Sequence, residues 1–420
     1  MGSYIPNFFE LYLTYADENF DSLKTTGEYI MGYGYNFQEH KVLTKDGYIL
    51  TLFRIPGKLH EEIRPKPPVL LMHGLCDSGF TYFINGNPEK CLPFLLSDEG
   101  YDVWVGNNRG NNYSTEHVKK AEYNYLDFSS KFWDFSLDEM ALFDLPAMIE
   151  YILNNSIYKP KKITYIGHSQ GTCQFFILGC TNPQYLNDRI KCFIGLAPVI
   201  FVSNIQSQIL RIAAFLHLPD LAESIGIRNI LVMPYINSLK ALAVRFMPKI
   251  PLWIVQILLG KTKTQNLNFK RLVMIGKEMP GGTSTKNLIH WCQLIRGGKL
   301  RKFDYGKEEN LSKYYQVHCP EYNLSNLQKL SFEKMYAVGD SDVLVTSKDL
   351  IKLSNVISFD HQIQIEDYGH NDPLWADTAY LKVYSHILEW IQYKESKEAL
   401  KDQNSDDTEK LDDNEDNTYN

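Results

Sequence analysis

Short apolar segments recur along this chain and alternate with stretches of helical periodicity. Runs rich in β-branched and aromatic residues predict strands at 68–72, 101–106, 162–166, 332–338 and 361–368. The turn Lys45-Asp46-Gly47 separates two alternating runs and predicts a β-hairpin. Repeated alternation of strands and helices favours an α/β fold, with a mostly parallel central sheet and helices on both faces.

One helix is predicted with a defined start. Ser136 and Glu139 form a capping-box pattern, and apolar residues follow at helical spacing. The predicted buried face comprises Met140, Ala141, Leu145, Met148, Ile149 and Ile152. We expect the helix to continue to about Asn154 and to be kinked at Pro146, which has no backbone N–H.

The spacing of the strands also predicts an insertion. The stretch between Pro198 and Phe332 is too long for one crossover between parallel strands, so we predict a largely helical cap at 199–320. An N-terminal segment at 1–23 precedes the core, which occupies 24–198 and 321–393. Residues 396–420 hold nine acidic residues against three lysines, and this composition predicts that the tail at 394–420 is disordered.

Candidate chemistry centres on Gly167-His168-Ser169-Gln170-Gly171, which follows a predicted strand and precedes a helical pattern. This is the strand–turn–helix context of a hydrolytic serine nucleophile, and Gly167 and Gly171 would be needed where a Cβ would clash. The alternative is a glycine-rich turn with a hydrogen-bonded serine. The neighbouring His168 should point away from the hydroxyl and pack under the turn.

A nucleophilic serine needs a base and a buried acid, which follow it in that fold in the order acid, histidine. Asp342 and His370 are the candidates, because both lie just after predicted strands, at the sheet edge that would carry Ser169. Asp340 is the rival acid on the same turn, although the spacing from Gly339 favours Asp342. His361 and His386 are the rival bases, and neither lies at that edge.

An oxyanion intermediate needs backbone donors. One should be the N–H of Gln170, the residue after the nucleophile. The other should be the N–H of Leu75, because the strand at 68–72 breaks at His73-Gly74 immediately before it.

Several blocks then resemble the acid lipase family, which includes the gastric, lysosomal and lingual lipases. The matching blocks lie at 35–40, 44–50, 73–75, 106–111, 132–140, 167–172, 281–284 and 290–291. The resemblance implies an α/β-hydrolase fold with Ser169 as nucleophile, Asp342 as acid, His370 as base, and Leu75 and Gln170 as oxyanion donors. The mammalian digestive members carry a cap disulfide, whereas this chain has no cysteine between Phe193 and Trp291.

The composition of the predicted cap suggests how the protein would bind to a lipid surface. Residues 199–270 carry eight Lys or Arg against two acidic residues, with apolar runs at 210–218 and 250–259. The second run is too short to span a bilayer. A hydrophobic, basic lid that opens at an anionic lipid surface fits both properties. The same residues could instead pack the cap against the core.

Other features limit the function. The seven cysteines are odd in number and form no Cys-x-x-Cys pair, so they indicate neither a disulfide framework nor a zinc site, and most should be buried. We expect no cofactor, no metal, no transmembrane segment and no nucleic-acid partner. Glu10, Asp17 and Glu18 interrupt any signal-peptide pattern. The family resemblance implies a secreted or lysosomal enzyme, and a cytoplasmic or lipid-droplet location is the alternative.

Together these features predict a serine lipase that cleaves neutral lipid esters, such as triacylglycerols or sterol esters, through an acyl-enzyme on Ser169. Its partners would be the lipid ester and the lipid–water interface. Two alternatives stay open: a short-chain carboxylesterase, and a catalytically silent lipid-binding relative.

Overall fold

The computed structural model describes residues 21, 24–62, 66–127, 129–157, 159–230 and 271–396. The apolar run at 250–259 and nearly all of the N-terminal segment and acidic tail therefore lie outside the described residues. Strands form at Gln38–Leu43 (β1), Tyr48–Ile55 (β2), Pro68–Met72 (β3), Asp102–Asn107 (β4), Glu116–His117 (β5), Ile163–His168 (β6), Ile190–Leu196 (β7), Asn229–Ile230 (β8), Thr283–Ser284 (β9), Glu333–Gly339 (β10) and His361–Ile365 (β11).

The α-helices span Thr26–Gly32 (α1), Leu92–Asp98 (α2), Leu137–Glu139 (α3), Leu145–Asn155 (α4), Gln170–Thr181 (α5), Pro183–Arg189 (α6), Gln208–Phe215 (α7), Leu218–Ser224 (α8), Leu272–Glu278 (α9), Thr285–Gly297 (α10), Lys307–Tyr314 (α11), Ser347–Val356 (α12) and Asp372–Trp375 (α13). Short 3₁₀ helices occupy Gly79–Phe83, Pro88–Lys90, Lys131–Trp133 and Leu324–Lys329, and π-helical segments occupy Met140–Asp144 and Tyr380–Tyr384.

The central sheet has nine strands among the described residues, in the order β1-β2-β4-β3-β6-β7-β10-β11, with β5 paired to β2. Every pairing from β4 to β11 is parallel, while β1, β2 and β5 add an antiparallel edge. The predicted hairpin at Lys45-Asp46-Gly47 and the predicted strands are therefore confirmed. The strand predicted at 361–368 is shorter, because Glu366 and Asp367 belong to the turn that leads to the next loop.

Two apolar cores cover the two faces of the sheet. Leu70 and Met72 of β3 face one core, which is shared with α4 and α5, and the alternate residues Val69 and Leu71 face the other. The second core includes α1, α2 and the C-terminal helical residues. Because β3 is buried on both faces, its side chains are apolar without alternation, as is typical of parallel sheets. The predicted α/β architecture is confirmed.

The helix predicted from Ser136 begins with the expected capping box, and the six predicted face residues are buried. It is not one regular helix. A π-helical segment at Met140–Asp144 separates α3 from α4 just before Pro146, which supplies no N–H to the helical hydrogen-bond series. The Asp144 carboxylate accepts hydrogen bonds from the backbone N–H and the guanidinium of Arg109. The irregularity expected at Pro146 therefore lies in the turn that precedes it.

Between β7 and β10 the structure places α7 to α11, with the short two-stranded pair β8–β9. The boundaries of the cap at 199–320 stay a prediction. No helix among the described residues has the length and apolar character needed to cross a membrane.

Candidate active site

Ser169 lies on a sharp turn between β6 and α5. Its φ of +50° and ψ of −114° are strained for a residue with a Cβ, at a cost of about 1–3 kcal/mol. A Cβ on Gly171 would lie 2.7 Å from the carbonyl oxygen of Met72, and one on Gly167 would lie 3.0 Å from the backbone of Gly171. The glycine requirement predicted from the motif is therefore confirmed.

The loops after β10 and β11 bring an acid and a base to this turn. The Ser169 Oγ lies 2.7 Å from Nε2 of His370, and Nδ1 of His370 lies 2.8 Å from Oδ2 of Asp342. All three side chains are nearly inaccessible to solvent. The other oxygen of Asp342 accepts hydrogen bonds from the backbone N–H groups of Leu344 and Val345. Both carboxylate oxygens thus have fixed partners, and one of them is the imidazole.

The rival residues lie elsewhere. Asp340 is exposed, and its carboxylate accepts hydrogen bonds from the N–H of Asp367 and the hydroxyl of Ser341. His361 and His386 are exposed: His361 is the first residue of β11, at the end opposite to the His370 loop, and His386 lies in the C-terminal helical residues.

His168 is buried under the turn, as predicted, and its ring packs 5.2 Å from the His370 ring. It has a second feature that sequence reasoning missed: its Nε2–H donates to the carbonyl oxygen of His370, at 3.1 Å. Burial lowers the pKa of His168 to about 3, so the ring stays neutral with its proton on Nε2.

The two predicted backbone donors are the N–H groups of Gln170 and Leu75, and contacts from neighbouring residues hold the peptide that carries the second. Gln170 is the first residue of α5, so the helix itself does not use its N–H. The N–H of Leu75 belongs to the same planar peptide unit as the carbonyl of Gly74. Nδ1 of His73 lies 2.8 Å from that carbonyl oxygen, and Nε2 of His73 accepts from the N–H of Asn108 at 3.1 Å.

These contacts fix the tautomer of His73, because a ring nitrogen that accepts from an N–H cannot carry a proton. The proton is on Nδ1 and donates to Gly74, which holds the plane of the Gly74–Leu75 peptide. Burial lowers the pKa of His73 to about 4 and favours this neutral form. Sequence reasoning treated His73 only as the end of a strand.

The side chain of Gln170 is also bound. Its Oε1 accepts from Nδ2 of Asn287 at 2.9 Å and from Nε1 of Trp291 at 2.8 Å, and both donors lie on α10. Sequence reasoning did not predict these contacts, although the block at 290–291 was among those that resemble the acid lipases.

In the part of the chain that the structure describes, no three His, Cys, Asp or Glu side chains group as metal ligands would. Six cysteines are buried and Cys76 is partly buried, which confirms the expected burial, and no disulfide joins cysteines among these residues. The Ser169 turn brings together a hydroxyl, an imidazole and a carboxylate in sequence, near the two backbone N–H groups predicted to be donors. Such an arrangement can carry out acyl transfer.

Comparison with known proteins shows similarity over most of the chain. Residues 26–86 match the family described as a partial alpha/beta-hydrolase lipase region, and residues 67–377 match the alpha/beta hydrolase fold. The chain is 36% identical to gastric triacylglycerol lipase of Bos taurus over 88% of this chain and 92% of that protein. It is 35% identical to lipase member J of Homo sapiens over 86% of this chain and 97% of that protein.

Among solved structures, a soluble variant of monoglyceride lipase from Saccharomyces cerevisiae aligns with a TM-score of 0.53. The sequence identity is 16%, over 87% of this chain and 97% of the yeast chain. This likeness supports the fold.

Proposed function

Because this chain belongs to the acid lipase family of α/β hydrolases and is a carboxylic ester hydrolase of lipid esters, we propose that Ser169, His370 and Asp342 are its catalytic residues. The observation that carries this proposal is the continuous contact from the serine Oγ to the imidazole, at 2.7 Å, and from the imidazole to the carboxylate, at 2.8 Å.

In the first half-reaction, Nε2 of His370 takes the proton of Ser169 as its Oγ attacks the ester carbonyl carbon. Negative charge moves to the carbonyl oxygen, where the N–H groups of Leu75 and Gln170 are proposed to donate. Asp342 accepts the Nδ1–H bond, which keeps the ring oriented and stabilises the imidazolium. The tetrahedral intermediate then collapses, and His370 gives its proton to the departing alcohol oxygen.

In the second half-reaction, His370 removes a proton from water, and the water oxygen attacks the acyl carbon on Ser169. The same two backbone donors would hold the oxyanion. Collapse breaks the Oγ–carbon bond, returns a proton to Ser169 and releases the fatty acid. Each half-reaction uses the same base and the same donors, which is why one rigid site suffices.

The proposed substrates are neutral lipid esters, such as triacylglycerols or sterol esters, met at a lipid–water interface. The name of the bovine relative supports the triacylglycerol part of this proposal. So does an exposed apolar surface on α7, α8 and the residues that follow, which we call the α7–α8 patch. It comprises Ile209, Ile212, Phe215, Leu216, Leu218, Leu221, Ile225 and Ile227. Singly scattered apolar residues are ordinary on protein surfaces, but eight exposed apolar side chains between positions 209 and 227 favour an interaction surface.

For the location, we propose a secreted or lysosomal enzyme, supported by the similarity to gastric lipases. The alternative, a cytoplasmic or lipid-droplet enzyme, would place the same α7–α8 patch against stored neutral lipid. Fractionation of the source cells, with the enzyme detected by antibody, separates the two.

The nucleophile is tested with a fluorophosphonate probe, which bonds covalently to activated serines. We expect the wild-type protein to be labelled and Ser169→Ala to be unlabelled and inactive. Ser341→Ala is the matched control, because Ser341 is a solvent-exposed serine on the Asp340–Asp342 turn, and it should label normally. Equal labelling of wild type and Ser169→Ala would reject Ser169 as the nucleophile.

The substrate class is tested by comparing emulsified triolein with a dissolved short-chain nitrophenyl ester. A lipase should hydrolyse the emulsion. Turnover of the dissolved ester alone would favour the short-chain carboxylesterase. Binding of lipid without labelling or turnover would favour the silent lipid-binding relative.

A further inference from the structure

The amide of Gln170 connects the proposed oxyanion site to α10. Its Oε1 accepts two hydrogen bonds, from Asn287 at 2.9 Å and from Trp291 at 2.8 Å. Gln170 and Asn287 are almost fully buried, and Trp291 is 8% exposed. One carbonyl oxygen therefore uses both of its lone pairs on donors that lie more than 100 positions away in the sequence.

The donors are themselves held in place. The Nδ2 of Asn287 also donates to Thr283 Oγ1 at 3.1 Å, and the backbone N–H of Asn287 donates to Ser284 Oγ. Ser284 in turn donates to the carbonyl oxygen of Phe135, in the segment before α3. The start of α10 is thus attached both to the core and to the residue after the nucleophile.

Gln170 has two separate groups in this arrangement. Its side chain is bound by α10, while its backbone N–H is the proposed donor to the oxyanion. Such a donor must lie 2.7–3.1 Å from the position that the developing oxyanion will occupy, and small displacements weaken it. Because the α5 N-terminus directly follows a strained residue, its first peptide needs support from outside the turn.

We propose that Trp291 and Asn287 are positioning residues that keep the Gln170 backbone N–H aligned for transition-state stabilisation. The inference rests on the proposed function, in which that N–H is an oxyanion donor. It makes α10 part of the assembled catalytic site, and not only a cover over it. A purely packing role would not need two donors on one buried oxygen, since an apolar side chain would fill the space without leaving polar groups to satisfy.

The test uses the full chain and a dissolved short-chain ester, so that adsorption to an emulsion does not enter. Trp291→Phe removes the indole donor and keeps an aromatic ring, and Asn287→Leu removes the amide donor. We expect each to lower kcat about three- to tenfold, the effect of one lost hydrogen bond, while KM changes less than about twofold because uniform substrate binding is untouched. Trp390→Phe, in the C-terminal helical residues, is the matched control and should keep wild-type kcat.

A double variant separates positioning from general damage. Gln170→Leu keeps the backbone N–H and removes the shared acceptor, so Gln170→Leu/Trp291→Phe should be no slower than Gln170→Leu alone. Independent structural effects would instead multiply. Thermal unfolding of each variant establishes that kcat is measured on folded protein. Asn287→Leu remains informative if Trp291→Phe fails to fold.

The outcomes distinguish this inference from the function on which it rests. Wild-type kcat in both Trp291→Phe and Asn287→Leu, with Ser169→Ala inactive, would overturn the positioning role and leave the lipase mechanism intact. Multiplicative losses in the double variant would also overturn it. Retained activity in Ser169→Ala would instead reject the catalytic proposal itself.

Discussion

At the scale of single residues, burial and side-chain direction decide which of two neighbouring aspartates contacts His370. Asp340 and Asp342 share one turn, yet only Asp342 is buried and bonded to His370. Asp340 is exposed and binds the N–H of Asp367, which joins the turn after β10 to the turn after β11. One carboxylate therefore contacts the imidazole of His370, and the other fixes the two loops relative to each other.

We predict that Asp342→Asn lowers kcat by about four orders of magnitude, because an amide cannot hold the imidazole in the required tautomer. Asp340→Asn should keep kcat within a few-fold, since an amide oxygen can still accept the Asp367 N–H. Steady-state hydrolysis of a dissolved ester measures both. A large loss in Asp340→Asn with little loss in Asp342→Asn would move the catalytic acid by two positions.

At the scale of elements, the site is assembled from the ends of parallel strands. β6 ends at the Ser169 turn, while β10 and β11 lead into the loops that carry Asp342 and His370. His168, the last residue of β6, ties the first of these ends to the third through its bond to the His370 carbonyl. Because that hydrogen bond holds the backbone of His370, it fixes the loop that carries the proposed catalytic imidazole.

We predict that His168→Leu lowers kcat about tenfold through loss of this hydrogen bond. His168→Gln should restore much of it, because the glutamine Nε2 can donate from a similar position. The matched pair differs in the presence of a donor, so equal activity of the two variants would rule out a role for the bond.

Replacing His168 should also change how the stability of the protein depends on pH. With its pKa lowered to about 3 by burial, His168 stays neutral in the folded chain, while the unfolded chain takes up a proton below about pH 6.5. The unfolded state then binds more protons, so stability is lost as pH falls from about 6.5 to about 3. Thermal unfolding across this range should show a smaller acid loss in His168→Gln than in wild type.

At the scale of the whole molecule, α10 contacts both the proposed active site and a helix of the α7–α8 patch. α10 binds Gln170 at one end, and near its other end Arg296 donates to the carbonyl oxygen of Ala214 in α7. The α7–α8 patch is therefore carried by helices attached to the helix that contacts the proposed oxyanion residue. A lipid surface that binds this patch would therefore contact helices that are hydrogen-bonded, through α10, to the proposed catalytic site.

We predict that Leu216→Asp or Leu221→Asp lowers activity on emulsified triolein about tenfold or more. Each change removes an apolar side chain worth about 1.5–3 kcal/mol on burial and adds a negative charge. Leu216 and Leu221 are 64% and 61% exposed, so folding should be unaffected.

Ile351→Asp on α12 is the matched control, because Ile351 is 64% exposed and lies outside the patch. It should hydrolyse the emulsion normally, and all three variants should hydrolyse a dissolved ester like wild type. Equal losses on both substrates would mean that the patch does not act in adsorption.

Much of this could be read from local patterns. The hairpin, the strands and the capping box at Ser136 follow from side-chain alternation and turn chemistry within a few residues. The π-helical segment at Met140–Asp144 could not be read in this way. Its last residue, Asp144, binds Arg109, which lies just after β4. The helical periodicity of one segment carries no information about a partner from another part of the sequence.

The sequence by itself determined the α/β architecture, the glycine-flanked turn at Ser169 and the family, because these depend on short segments and on the order of blocks along the chain. Only the tertiary structure decided that Asp342 and not Asp340 meets His370, that His168 holds the backbone of His370, and that α10 binds the Gln170 amide. The three hydrogen bonds that make the last two contacts join residues 202, 117 and 121 positions apart. Side-chain direction and burial arise when the strands and helices pack together, and a linear pattern does not contain them.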